Sequence, residues 1–122
     1  GFLSSVAGSP FPAGSQPNAL VIDPTGKYLY AANRGDNNIS GYAIGTNSAL
    51  TALSGSPYAS GSLVNSIGVN STGKYLLTGA FGGGADLSMY SFDTVIGGKL
   101  NLATSTATGT DPTGVTAIAL SH

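Results

Sequence analysis

The sequence predicts an all-β fold built from repeated units, and three observations carry this prediction. Apolar residues alternate with polar ones in short runs, which is the period of a half-buried strand and not of a helix. Residues that favour turns are abundant, including 19 glycines in 122 residues. Segments also recur after 47 residues: residues 8–11 (GSPF) return as residues 55–58 (GSPY). A fixed period in this range is typical of stacked or radial repeat proteins.

The repeat extends over most of the chain. Residues 8–34 and 55–81 align without gaps and share 11 identical residues at 27 positions. Four short strands per repeat, each ending in a turn, is the composition of a propeller blade. We therefore expect a β-propeller segment with two complete four-stranded blades, residues 17–57 and 64–104.

Turn residues separate the strands of the first blade. Residues 23–26 (DPTG) predict a turn, because proline presets φ, aspartate accepts backbone hydrogen bonds and glycine tolerates a positive φ. Residues 34–38 predict a polar loop between the second and third strands. The strands themselves are predicted at residues 19–22, 28–32, 39–44 and 50–53.

The second blade follows the same order with two insertions. Its loop between the second and third strands, residues 81–86, is one residue longer than the first blade's loop. The turn after the third strand, residues 93–99, is two residues longer than its counterpart. The strands are predicted at residues 67–69, 75–78, 87–92 and 100–103.

Partial blades are expected at both ends of the sequence. Residues 1–8 match the outer strand of a preceding blade, with Leu3 aligned to Leu50. Residues 115–122 match the first strand of a following blade. A blade has apolar faces that only neighbouring blades cover, and two blades cannot close a ring. We therefore expect a longer parent polypeptide or head-to-tail assembly of several copies, as a trimeric ring or a filament.

Composition excludes several classes of function. Only 7% of the residues are charged and the net charge is −1, so the basic footprint of a nucleic-acid-binding protein is missing. There is no cysteine or glutamate, and the single histidine is His122, so neither a zinc site nor a Ser–His–acid triad is predicted. No apolar run approaches the roughly 20 residues that span a membrane. We predict no metal, no cofactor and no membrane insertion.

The repeat resembles the YVTN-type β-propeller repeat of the lactonase-like (6-phosphogluconolactonase-like) superfamily. Residues 23–33, 37–44 and 55–58 follow that family's DPTGKYLYVAN, NNVSxYxI and GSPF patterns. The resemblance covers nearly the whole chain. It implies a seven-bladed propeller, often located outside the cytoplasm, so an extracellular or periplasmic location is expected. It also implies a relationship to proteins that hydrolyse sugar lactones such as 6-phosphogluconolactone.

Candidate ligand-binding residues lie in the loops between the second and third strands, which in such propellers rim the face where ligands usually bind. Arg34 and Asp36 form a charged pair in a chain with few charges, and such a pair would orient an anionic or polyol ligand. The alternative is a solvated loop with a weak surface ion pair. The candidate site residues are Arg34, Asp36, Asn37, Phe81 and Asp86.

Other conspicuous side chains are predicted to be structural. Asp23 is aligned with Asn70, and both can accept the same backbone hydrogen bonds, which indicates a turn and not acid–base chemistry. Aromatic residues at strand positions are typical of the core between blades. The residues concerned are Tyr28, Tyr30, Tyr42, Tyr75, Tyr90 and Phe92.

Two hypotheses for function follow. The first is a non-catalytic, extracytoplasmic scaffold or interaction module that assembles with itself, favoured by the low charge and the missing catalytic groups. The second is a lactonase-like hydrolase acting on a sugar lactone at the channel face, with a small carbohydrate or lactone as ligand, and it rests on the resemblance alone. Lactone hydrolysis that disappears in Arg34→Ala and Asp36→Ala variants would favour the second.

Overall fold

A computed structural model describes residues 1–82 and 85–107. Within these residues nine strands form two antiparallel sheets, and there is no helix. The strands are β1 (Pro17–Ile22), β2 (Tyr28–Asn33), β3 (Asn38–Ile44), β4 (Leu50–Ala52), β5 (Tyr58–Ala59), β6 (Ser62–Val69), β7 (Tyr75–Gly82), β8 (Leu87–Phe92) and β9 (Leu100–Thr106).

Each sheet follows the chain in sequence order. The first sheet is ordered β1-β2-β3-β4 and the second is ordered β6-β7-β8-β9. This is the meander that a propeller blade requires, and it confirms the predicted all-β fold class. The short strand β5 was not predicted. It pairs with the start of β3 through Ile39 and Tyr58, at a part of β3 that the three-residue β4 does not reach.

Two other differences concern strand ends. The ladder between β6 and β7 continues outwards as far as the pair Ser62 and Gly82. Strand β7 therefore includes Phe81, so the assignment of that residue to a loop was wrong. Residues 62–66 (SLVNS) lack a regular alternation of apolar and polar residues, so the beginning of β6 was not predicted.

The strands expected at the two ends of the sequence, an outer strand and a first strand, have different outcomes. Residues 3–6 form no strand in the structure. Their assignment to a preceding blade stays a prediction. The predicted first strand of a following blade, residues 115–122, lies outside the described residues.

The core lies between the two sheets. Tyr30 and Leu76 are fully buried there and Tyr90 nearly so, together with Ile39, Tyr58 and Leu100. The Tyr30 ring packs against Phe92, with ring centroids 5.9 Å apart. The Tyr30 hydroxyl also crosses to the second sheet and donates a hydrogen bond to the Gly98 carbonyl at 2.6 Å. Tyr75, predicted to lie in this core, is 41% exposed and is not part of it.

The two sheets repeat their hydrogen bonds as well as their strands. Tyr42 donates its hydroxyl to the Pro12 carbonyl at 2.6 Å, and Tyr90 donates to the Ala59 carbonyl at 2.7 Å. In both cases the tyrosine fastens the segment that leads into the first strand of its sheet. The 47-residue sequence repeat is therefore a repeat of specific contacts.

Candidate functional site

The two sheets converge at their first strands. Strand β6 lies close to β1 and to β2, whereas the later strands of the two sheets are farther apart. In a radial arrangement of blades, the first strands line the central channel. The ends at which β1 and β6 begin, together with the loop between β2 and β3, form one surface, which we call the channel mouth.

Both first strands are irregular at an asparagine. The pairing of β1 with β2 shifts between Pro17 and Ala19, which leaves Asn18 as the extra residue of a β-bulge. The pairing of β6 with β7 shifts in the same way around Asn65. Bulges of this kind redirect a side chain and are frequent beside functional sites.

A second irregularity precedes each bulge by two residues. Gln16 has φ of 51° and Leu63 has φ of 55°, and both values lie in the left-handed region that side chains other than glycine rarely adopt. Backbone strain of this kind persists only where the surroundings hold it, and it is concentrated at functional sites. The strained residue and the bulge together set the direction of the asparagine that follows.

The two bulged asparagines meet at the channel mouth. Asn18 Nδ2 donates to Asn65 Oδ1 at 2.8 Å and lies 3.3 Å from the Asn65 carbonyl oxygen. Asn18 is exposed and Asn65 is half-buried. Carboxamides both donate and accept hydrogen bonds, so this pair is suited to the hydroxyl and carbonyl groups of a neutral polar ligand.

The loop between β2 and β3 is clamped to the segment before β1. The backbone N–H groups of Arg34 and Gly35 donate to the carbonyls of Gln16 and Ser15, each at 3.0 Å. Asp36 Oδ2 accepts a hydrogen bond from the Ser15 backbone N–H at 2.6 Å. The carboxylate of Asp36 is thus used by the backbone, and no ion pair joins it to Arg34 in the described part of the chain.

Asn37 connects this loop to the second sheet. Its Oδ1 accepts a hydrogen bond from the Leu63 backbone N–H at 2.7 Å, and its carbonyl accepts one from the Ser60 backbone N–H at 3.0 Å. Asn37 itself has φ of 55°. It therefore holds the strained Leu63 in place, and its role in ligand binding stays a prediction.

Phe81 and Asp86 occupy the corresponding end of the second sheet. Phe81 is half-buried near the end of β7, and Asp86 is 1% exposed. The Asp86 carbonyl accepts a hydrogen bond from the Ala80 backbone N–H at 2.7 Å. Of the five predicted site residues, Arg34 and Asp36 are joined by hydrogen bonds to the segment leading into β1, and Asn37 is joined to the segment leading into β6.

Sequence reasoning missed Asn18 and Asn65. A signal was present, because they are identical residues at equivalent positions of the ungapped alignment. Alignment alone does not distinguish a bulged residue that faces a neighbouring strand from a regular strand residue. Their importance emerges from the register shifts and from the hydrogen bond between them.

The other ionisable groups are structural. Asp23 accepts four hydrogen bonds within its turn, from the Thr25 backbone and hydroxyl and from the backbones of Lys27 and Tyr28. Burial alone would raise its pKa, but these bonds outweigh burial and hold the pKa below its ordinary value. Burial raises the pKa of Tyr30 and of Tyr90, so their hydroxyls stay protonated and donate. No three His, Cys, Asp or Glu side chains among the described residues are grouped so that they could hold a metal ion.

Sheets of four antiparallel strands that converge on their first strands define this protein as part of a β-propeller. The chain belongs to the lactonase family of seven-bladed β-propellers, whose family model matches residues 5–117. A comparison with curated protein sequences found no match. The described part of the chain contains no helix long and apolar enough to cross a membrane.

Solved structures show the same fold. A periplasmic gluconolactonase of Pseudomonas aeruginosa is 19% identical, with a TM-score of 0.68 over 80% of this chain and 28% of that chain. A proposed 6-phosphogluconolactonase of Bacteroides fragilis is 21% identical, with a TM-score of 0.66 over 82% of this chain and 27% of that chain. A functionally unknown protein of Desulfotomaculum acetoxidans is 20% identical, with a TM-score of 0.65 over 75% of this chain and 27% of that chain. The chain thus spans less than a third of the length of these proteins.

Proposed function

We propose that this chain contributes two blades to a lactonase-like propeller that binds and hydrolyses a sugar lactone at the channel mouth. One observation carries the proposal: each blade places a bulged asparagine at the mouth, and the two carboxamides are joined by a 2.8 Å hydrogen bond. Membership of the lactonase family supplies the substrate class. The names of two structural neighbours, a gluconolactonase and a 6-phosphogluconolactonase, agree with it.

The chemistry of lactone hydrolysis sets what the mouth must supply. Water adds to the lactone carbonyl, the ring C–O bond breaks, and a hydroxy acid is released. The step needs donors that stabilise the developing oxyanion and a base that takes a proton from the water. The Asn18 amide, whose Nδ2 donates to Asn65 Oδ1, is the donor that we assign to the first role. We assign the second role, that of the base, to Asp36, the exposed carboxylate of the loop between β2 and β3.

The scaffold hypothesis has no comparable support, because no feature of the described residues points to a protein ligand. Self-assembly remains a prediction of its own. In the first sheet, Leu20 is 67% exposed and Ile22 is 50% exposed. The equivalent residues of the second sheet, Ile67 and Val69, pack against the core between the sheets. A further blade, from a longer chain or from another copy, would cover Leu20 and Ile22 in the same way. An extracellular or periplasmic location also stays a prediction.

Lactone turnover by the 122-residue chain tests the proposal. Glucono-δ-lactone hydrolysis is followed at constant pH, with the spontaneous rate subtracted. We expect Asn18→Ala and Asn65→Ala to reduce the catalysed rate at least tenfold, while Asn47→Ala, in the turn after β3, leaves it unchanged. Asp36→Ala tests the base. A folded protein that neither binds the lactone nor accelerates its hydrolysis contradicts the proposal.

A further inference from the structure

A cavity lies beside the first sheet, and neither Asn18 nor Asn65 lines it. The segment of residues 11–14 runs across the sheet and leaves a cleft of about 310 Å³ beneath it. Asp36, Asn38, Ser40 and Tyr42 supply its polar wall. We call this cavity the lateral cleft. Its volume is at the lower end of the roughly 300–1,000 Å³ typical of small-molecule sites.

The lateral cleft is not merely a gap left by an uncovered face. The second sheet has cavities of about 280 and 170 Å³ around Tyr90, the equivalent of Tyr42, although the first sheet packs against that sheet. Both tyrosines donate to the carbonyl of the overlying segment, at Pro12 and at Ala59. A cleft at this position is therefore part of the blade itself.

The first sheet differs from the second in the residue behind the cleft. Asn33 is fully buried there, whereas its equivalent in the second sheet is Ala80. Asn33 Nδ2 donates to Asn38 Oδ1 at 2.7 Å and to Ser40 Oγ at 2.8 Å. Asn33 Oδ1 has no hydrogen-bond partner among the described residues, which is costly for a buried carbonyl oxygen. Position 14, which lines the cleft, accepts only glycine. A Cβ atom there would lie 2.6 Å from Asn33 Nδ2 and 2.8 Å from Asp36 Oδ2.

These hydrogen bonds determine which donors of the lateral cleft remain for a ligand. Asn33 uses Asn38 Oδ1 and Ser40 Oγ as acceptors, so the Asn38 amide N–H groups and the Ser40 hydroxyl proton are left to donate. Asp36, which also lines the cleft, supplies a carboxylate acceptor. Apolar surface from Phe11 and Pro57 completes the wall. Donors and a carboxylate beside an apolar wall suit a ring with hydroxyl groups on its edge and C–H groups on its face.

We propose that the lateral cleft binds a neutral polyhydroxylated small molecule, a sugar ring or a cyclic polyol. Vicinal hydroxyls donate to Asp36 and accept from Asn38 and Ser40, and the apolar face of the ring packs on Phe11. The Asp36 carboxylate disfavours a phosphorylated sugar, because two negative charges would then be close together. The lateral cleft shares Asp36 with the channel mouth but is lined by neither Asn18 nor Asn65, and binding there does not depend on lactone hydrolysis.

The experiment is an amide chemical-shift titration of the 122-residue chain with methyl β-D-glucopyranoside, and with glucose 6-phosphate as the anionic comparison. We expect saturable shifts at Gly14, Asp36, Asn38 and Ser40. Asp36→Ala weakens binding at least tenfold. Asn33→Ala weakens it at least threefold, and this variant should fold because the second sheet has alanine at the equivalent position.

Two control variants separate this site from its neighbours. Ser88→Ala changes the equivalent of Ser40 in the second sheet, and Asn65→Ala removes the carboxamide at the channel mouth. Neither is expected to change the affinity for the glucoside. The proposal is overturned if no amide shows a saturable shift, if Asn65→Ala abolishes binding, or if glucose 6-phosphate binds as tightly as the glucoside. If the chain binds the glucoside but hydrolyses no lactone, the proposed function is contradicted, whereas the proposal that the lateral cleft binds a sugar is supported.

Discussion

Asn18 donates a hydrogen bond to Asn65, the residue that occupies its own place in the next repeat. Each lies on a bulge, and each follows a left-handed residue by two positions. In a radial repeat, equivalent residues of successive first strands are neighbours, so two residues that are identical in the sequence alignment are in contact in the structure. Two departures from regular strand geometry, a bulge and a left-handed residue, occur in both first strands and place one carboxamide per blade at the channel mouth.

Replacing Leu63 by glycine should stabilise the protein. The left-handed conformation costs an L-residue about 1–2 kcal/mol, and glycine adopts it without that cost. Glycine also loses more entropy on folding, by about 0.5–1 kcal/mol, so we expect a net gain of roughly 0.5 kcal/mol in Leu63→Gly. The β-branched Leu63→Val should instead lose about 1 kcal/mol. Urea unfolding measures both, and equal destabilisation by the two variants would show that Leu63 is not strained.

Removing the Tyr30 hydroxyl should weaken the contact between the blades. Tyr30 is fully buried and donates to the Gly98 carbonyl of the other sheet at 2.6 Å. Tyr30→Phe leaves that buried carbonyl without this donor, which costs about 1–3 kcal/mol in the free energy of unfolding. Tyr75→Phe, at a 41% exposed position, serves as the control and should change stability by less than about 0.5 kcal/mol. If thermal unfolding is the same for both variants, the hydroxyl does not join the blades.

Asp23→Asn should be tolerated at neutral pH, whereas Asp23→Ala should not. Asn70 already makes the equivalent turn with its amide, accepting from the backbones of Lys74 and Tyr75 at 2.9 Å. Alanine leaves the corresponding N–H groups of the first turn unpaired, at a cost of about 1–2 kcal/mol. Unfolding in urea at pH 7 compares the two variants.

The same residue should govern part of the acid sensitivity. The pKa of Asp23 is lowered in the folded state, so its contribution to stability is present above the ordinary value of 3.8 and is lost as the pH falls below it. Asp23→Asn removes this dependence. Asp93, whose pKa is lowered to about 2 by hydrogen bonds from Ile96, Asn101 and Val95, remains in both proteins. The difference between their stability profiles from pH 7 to pH 3 therefore isolates Asp23, and parallel profiles would contradict its role.

The uncovered face of the first sheet predicts assembly of this chain. Light scattering after size exclusion should give a closed multiple of the single-chain mass, because Leu20 and Ile22 are exposed where their equivalents are covered. Leu20→Lys should shift the mass towards that of one chain, and Thr51→Lys, on the outer strand β4, should not. A monodisperse single chain at every concentration would leave the covering blade to a longer polypeptide.

The sequence predicted the strand order and the turn chemistry well, for physical reasons that can be named. The alternating pattern of residues 39–44 and the turn at Asp23 are local signals, and local signals are present in the sequence itself. The equivalence of Asp23 and Asn70 was correctly interpreted as a shared turn, since both side chains accept from the same backbone groups.

The candidate site was harder to predict, because its geometry is not local. The charged pair of Arg34 and Asp36 was predicted to orient a ligand. In the described residues Asp36 accepts a hydrogen bond from the Ser15 backbone, and no ion pair joins it to Arg34. Asn18 and Asn65 have ordinary residue types in ordinary strands, and only the register shifts make them face each other. Asn33 was not predicted either, because its burial depends on the segment of residues 11–14, which lies against it.

The most direct test of the channel mouth is a crystal structure of the chain soaked with glucono-δ-lactone. The proposed function predicts the sugar ring at the mouth, with its carbonyl or hydroxyl oxygens within hydrogen-bond distance, about 2.7–3.2 Å, of Asn18 Nδ2 or Asn65 Nδ2. Lactone bound only in the lateral cleft, or an empty mouth at saturating lactone, would contradict it.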